Sequence, residues 1–84
     1  MQMQDQIAAL LTDTLNLGQR GQQLTAESQL LGSLPEFDSM AVVAIVTQIE
    51  EQYGVDFDDD DITAESFATL GALVQLVQGK LESP

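Results

Sequence analysis

The stretch F-D-S-M-A-V-V-A-I-V-T-Q-I-E-E-Q-Y-G, Phe37 to Gly54, decides how this chain folds. Within it Val42, Ile45, Val46, Ile49 and Tyr53 recur at i, i+3, i+4, i+7 and i+11, one face of an α-helix. Asp38 and Ser39 are both residues that open helices, because their side-chain oxygens accept a hydrogen bond from a first-turn N–H. Gly54 is the residue expected just past a helix end. The spacing therefore predicts a helix from Asp38 or Ser39 to about Tyr53. Met40 and Val43 lie off the core stripe, on a neighbouring face, with Ala41 and Ala44 also non-polar. So short a chain cannot bury a helix all round, and this surplus apolar surface reads as contact with a partner. Two readings of Ser39 stay open from the string alone: a helix cap, or a hydroxyl on which chemistry is done.

Two further amphipathic patterns flank this one. Ile7, Leu10, Leu11 and Leu15 form a helical stripe on a segment from about Met3 to Leu17, followed by Gly18 and Gly21. Leu70, Leu73, Val74, Val77 and Leu81 form another, on a helix beginning near Thr69 and fraying towards Gly79 and Pro84. The polar segment Gln19–Glu36 reads as a long loop that is anchored or functional, with Leu24, Leu30, Leu31 and Leu34 pinned to the core. Ile62 to Phe67 has room for one or two helical turns, opened by Thr63. The expected fold is all-α: a small four-helix bundle of three main helices and one short one, with a long loop between the first and second. Residues 1–84 make one domain, its core at about 3–81 and its termini frayed.

Composition narrows the chemistry. The chain has 84 residues, 44% of them hydrophobic, with no cysteine and no histidine. A disulfide or thiolate metal site is therefore excluded, and any thiol would have to come from outside the polypeptide. Fourteen acidic residues oppose only Arg20 and Lys80, for a formal net charge of −12. That field repels nucleic acid and anionic lipid and draws in basic protein surfaces. The longest apolar run, Met40 to Val46, is far short of the ~20 residues of a membrane span. With no basic, apolar leader at the N-terminus, the expectation is a monomeric cytoplasmic protein.

Catalytic readings fail on absent groups. Ser39 has no histidine partner in the sequence and no G-x-S-x-G elbow around it. The acidic run Asp56 to Asp61 resembles a calcium loop at first. With Asp56 as position 1, however, Asp61 stands where glycine is needed and Phe67 where glutamate is needed. No specific metal site is expected. A small, acidic, helical domain without catalytic groups reads as a module that is handled by others, not as an enzyme.

At this point the sequence resembles the acyl carrier protein family over Ile7 to Val77. The resemblance rests on Asp38-Ser39-Met40 at the start of the second helix and Ile49-Glu50-Glu51-Gln52-Tyr53-Gly54 at its end. An acidic turn follows, then Phe67-Ala68-Thr69-Leu70-Gly71-Ala72-Leu73 leading into the last helix. It implies that Ser39, flanked by the motif residue Asp38, receives 4′-phosphopantetheine from coenzyme A through a phosphopantetheinyl transferase. The arm would carry an acyl thioester to loading and transfer enzymes with basic docking surfaces. Asp38, Glu50 and Glu51 would then be the acidic docking residues, around an apolar centre of Met40 and Val43. An acyl chain sheltered between helices would be lined by Val42, Ile45, Val46, Ile49, Ile62, Phe67 and Leu73. Ala41 and Ala44 stand where carriers of fatty acid synthesis commonly have acids, which points to a specialised acyl or lipid-type pathway. Asp-Ser-Met also occurs in D-alanyl carriers, so an aminoacyl cargo is the alternative. A non-catalytic acidic adaptor that binds a basic partner is the other.

Overall fold

The computed structural model of the chain describes residues 2–30 and 37–82. Among these residues four α-helices follow one another: α1 Met3–Leu15, the single turn α2 Gln19–Gln22, α3 Ser39–Tyr53 and α4 Leu70–Glu82. A 3₁₀ turn, Asp59–Asp61, interrupts the connection between α3 and α4, and no strand occurs among the described residues. Helix α1 is the hub, in contact with α2, α3 and α4.

Each main helix buries the stripe its sequence carries. Ile7, Leu10 and Leu11 of α1, Ile45, Val46 and Ile49 of α3, and Leu70, Leu73, Val74 and Val77 of α4 meet in one core with Leu17, Leu30, Phe37 and Phe67. Helix α1 stops two residues before the expected Leu17. Asn16 takes the left-handed conformation and its N–H reaches back to the Thr12 carbonyl, which ends the helix while letting Leu17 drop into the core. At the other end, α4 runs on through Gly79 to Glu82, and Leu81, expected on the core stripe, is 44% exposed. The buried residues of that helix end at Val77.

The short helix is not where the Thr63 opening signal put it. Ile62–Phe67 is a hydrogen-bonded turn, not a helix: Thr63 Oγ1 accepts from Ser66 N–H at 3.1 Å, and Phe67 N–H donates to the Thr63 carbonyl at 3.3 Å. The polar Gln19–Gln22 segment, read as loop, supplies the short helix instead. The rest of that connection is anchored as expected at Leu30, which is fully buried, and at half-buried Leu24, whereas Leu31 and Leu34 lie outside the described residues. Its anchorage is backbone to backbone. Leu30 N–H donates to the Ala68 carbonyl at 2.8 Å, Leu70 N–H to Ser28 at 3.0 Å and Gly71 N–H to Ala26 at 2.8 Å. That approach requires glycine: a Cβ at position 71 would sit 2.8 Å from the Ala26 carbonyl oxygen. The start of α4 is thus fixed from the far side of the chain, and with it the segment that faces α3.

Candidate functional site

Helix α3 begins with a division of labour between adjacent residues. Asp38 is the N-cap, with extended backbone angles, and its Oδ1 accepts from Ala41 N–H at 2.9 Å. Ser39 is the first helical residue and is exposed; among the described residues its hydroxyl has no hydrogen-bond partner. The residue ahead of the cap, Phe37, is buried and meets Phe67 with ring centroids 6.2 Å apart and the planes tilted by 43°. An apolar anchor, a capping carboxylate and a free hydroxyl therefore follow in three consecutive positions. The anchor was not singled out from sequence, although an apolar residue just before an N-cap is a known signature of a fixed helix entry.

Ser39 opens on a cleft of about 390 Å³. Ser39, Val42 and Val43 of α3 form one wall, and Ile62, Thr63, Ala64 and Phe67 form the other. Of the seven residues expected to line a sheltered chain, Val42, Ile62 and Phe67 do so. Ile45, Val46, Ile49 and Leu73 are buried core residues behind it. A slightly larger hollow of about 420 Å³ lies between α1 and the α2 region, rimmed by Asp5 and Asp13, and shares no residue with the first. The smaller cleft is the functional candidate because its lining is almost entirely apolar and a free hydroxyl stands at its mouth.

The outer face of α3 carries the predicted docking residues, with one separation. Met40 is 79% exposed and Val43 65%, so the off-stripe apolar surface does face outwards. Ala41 belongs with the core instead, buried beneath the first turn. Glu51 is exposed, whereas Glu50 is half-buried and turned into its own chain, where Oε2 accepts from Phe57 N–H at 2.8 Å. Glu50 thus pins the segment leaving α3, a role invisible in the Glu-Glu pair as written. Further along, Asp58 and Asp61 cap one another, and the Lys80 ammonium lies 2.6 Å from Asp61 Oδ2. Hydrogen bonding to Lys80 holds the Asp61 carboxyl below the usual range and the Lys80 ammonium above its own. Burial pushes the Tyr53 hydroxyl up; it donates to Gln6 Oε1 at 3.0 Å and joins α3 to α1. Among the described residues no group of three or more acidic side chains is placed to hold a metal ion.

Comparison with known proteins agrees with this arrangement. Residues 5–77 match the family model for the phosphopantetheine attachment site. The fold matches the solution NMR structure of a holo acyl carrier protein from Nitrosomonas europaea with a TM-score of 0.91 and 48% sequence identity, covering 99% of this chain and 100% of that one. Among curated proteins there is no match. With a family match over most of its length and a near-complete structural match at high identity, the chain belongs to the phosphopantetheine-attachment family as an acyl carrier protein, a non-catalytic carrier of covalently attached 4′-phosphopantetheine.

Proposed function

We propose that Ser39 is the attachment point, and that the chain presents an acyl thioester to enzymes of a specialised acyl or lipid-type pathway. The observation that carries this reading is the exposed Ser39 hydroxyl, unpartnered among the described residues, at the first position of α3 and beside the apolar cleft. The residues suit the group. Asp38 takes the capping role, so Ser39 Oγ is available to a transferase. The phosphodiester formed at Oγ sits where a helix N-terminus favours negative charge, and the arm supplies the thiol that the polypeptide lacks.

The partner surface is the outer face of α3: Met40 and Val43 at its centre, with Asp38 and Glu51 at its edges. Glu50 is left out of it because its carboxylate already serves Phe57. With alanine at 41 and 44, the first two turns offer few charges, so apolar contact dominates docking while the net charge of −12 steers the encounter. An apolar cleft beside Ser39 suits the proximal part of an acyl chain better than a charged aminoacyl group. That favours acyl over D-alanyl cargo.

The test is an intact mass after incubation with coenzyme A, Mg²⁺ and a phosphopantetheinyl transferase. The mass rises by one phosphopantetheine, and Ser39→Ala abolishes the rise. An unchanged wild-type mass across several transferases refutes the assignment. Partner binding that ignores both coenzyme A and Ser39→Ala supports the acidic adaptor instead.

A further inference from the structure

The outer wall of the cleft is held very differently at its two ends. At its C-terminal end Phe67 is buried, and the Leu30–Ala68 and Ser28–Leu70 backbone bonds fasten it to the opposite side of the chain. Its N-terminal end has no such anchorage. From Asp58 to Ser66 every backbone hydrogen bond among the described residues is local, closing the 3₁₀ turn and the turn opened by Thr63. Among the described residues the polar link from that segment to another helix is the side-chain pair Asp61 with Lys80. Lys80 is the chain's one lysine, in the last turn of α4. Ile62, the first residue of the wall, directly follows Asp61 and is itself 37% exposed.

We propose that Lys80 is a positioning residue that, through Asp61, latches the outer wall of the cleft and so limits the length of chain the cleft accepts. The inference rests on the cleft's role as the shelter for the cargo. With the latch closed, Ile62 and Ala64 stand against Val42 and Val43 and leave a shallow space. With it open, the segment swings about its fastened end at Phe67, and the space deepens. Both partners are partly exposed, so the latch is weak enough to yield to a bound chain. When Lys80 is neutralised, the four consecutive carboxylates Asp58 to Asp61 also repel one another without compensation, which favours the open wall.

Two measurements on the full chain test this. In the unloaded protein, amide exchange at residues 62–66 rises about two- to five-fold in Lys80→Gln and in Asp61→Asn. It stays unchanged at Ile45 and Ile49, and Lys80→Arg restores the wild-type rate. In protein carrying a butanoyl or octanoyl thioester, cleavage by hydroxylamine reports shelter. Lys80→Gln slows cleavage of the octanoyl form further and leaves the butanoyl form unchanged, a chain-length split that general loosening would not produce. Unaltered exchange at 62–66, or octanoyl cleavage that does not slow, overturns the latch. Cleavage of both wild-type thioesters as fast as that of the same acyl groups on free pantetheine overturns the sheltering role itself, and the exchange measurement, made without cargo, keeps the two failures apart.

Discussion

Adjacent residues at the start of α3 can be separated experimentally, because Asp38 and Ser39 do different work. Asp38→Ala removes the Oδ1 acceptor 2.9 Å from Ala41 N–H. Losing an N-cap costs about 1 kcal/mol, within a range of roughly 0.5–2. Each kcal/mol lowers the Tm of a domain this size by about 4–8 °C. Asp38→Asn keeps the acceptor and removes only the charge at the helix N-terminus, worth about 0.3–1 kcal/mol at an exposed site. Thermal unfolding followed by circular dichroism should therefore order the proteins as wild type, Asp38→Asn, then Asp38→Ala. Ser39→Ala should lie within about 0.5 kcal/mol of wild type, since alanine is a good helix former and no described capping bond is lost. Attachment reverses the pattern: Ser39→Ala accepts no phosphopantetheine, whereas folded Asp38→Asn still does. If Ser39→Ala destabilises as much as Asp38→Ala, Ser39 is the true cap. If Asp38→Ala leaves the Tm unmoved, the capping geometry is energetically silent and the argument for a freed hydroxyl falls.

Other expectations follow from single contacts. Glu50→Ala strips Phe57 N–H of its charged acceptor and should cost about 1.5–3 kcal/mol in urea unfolding, while Glu50→Gln retains an acceptor and most of the stability. Glu51→Gln should leave stability unchanged and reduce the salt dependence of partner association, measured by stopped flow. Gly71→Ala gains at most about 1 kcal/mol of helix propensity but drives a methyl into the Ala26 carbonyl; that overpacking costs about 1–3 kcal/mol, so the Tm should fall. The Asp61–Lys80 pair sets a pH window. The Asp61 pKa is depressed in the folded state from 3.8, so its contribution is present above that value and lost as pH falls through the folded one. The Lys80 pKa is raised from 10.5, so its contribution is complete below 10.5 and lost as pH rises through the folded value. Protection factors at residues 62–66 should accordingly hold between about pH 4 and 10.5 and fall outside that window, with Lys80→Gln flattening the profile.

Helix α3 was legible in the sequence almost to the residue, because cap, core stripe and stop residue all agreed there. The core stripes of α1 and α4 were equally plain. What failed were elements without an apolar period of their own. Gln19–Gln22 is a single polar turn packed on α1, and Ile62–Phe67, whose two large apolar residues are five positions apart, closes only a hydrogen-bonded turn. Its Phe67 is claimed by Phe37, and the residue after it, Ala68, by Leu30, contacts far apart in sequence that local periodicity cannot register. The same limit hid Glu50: two successive glutamates look alike until the chain leaving α3 turns back over one of them.

That pattern explains how so small a protein can be recognised by several enzymes without sacrificing its fold. Along α3, Ile45, Val46 and Ile49 face the core, and Asp38 and Glu50 hold the two ends to their own backbone. Among the residues left facing outwards, Ser39, Met40, Val43 and Glu51 have side chains that make no described hydrogen bond or ion pair. Mutations at these four positions should therefore change attachment, docking or steering at nearly constant stability, whereas Asp38, Glu50 and the buried stripe change stability first. A docking defect in Met40→Ser or Val43→Ser at wild-type Tm would place the partner surface on α3. The same defect tracking a fallen Tm would mean that this face belongs to the fold after all.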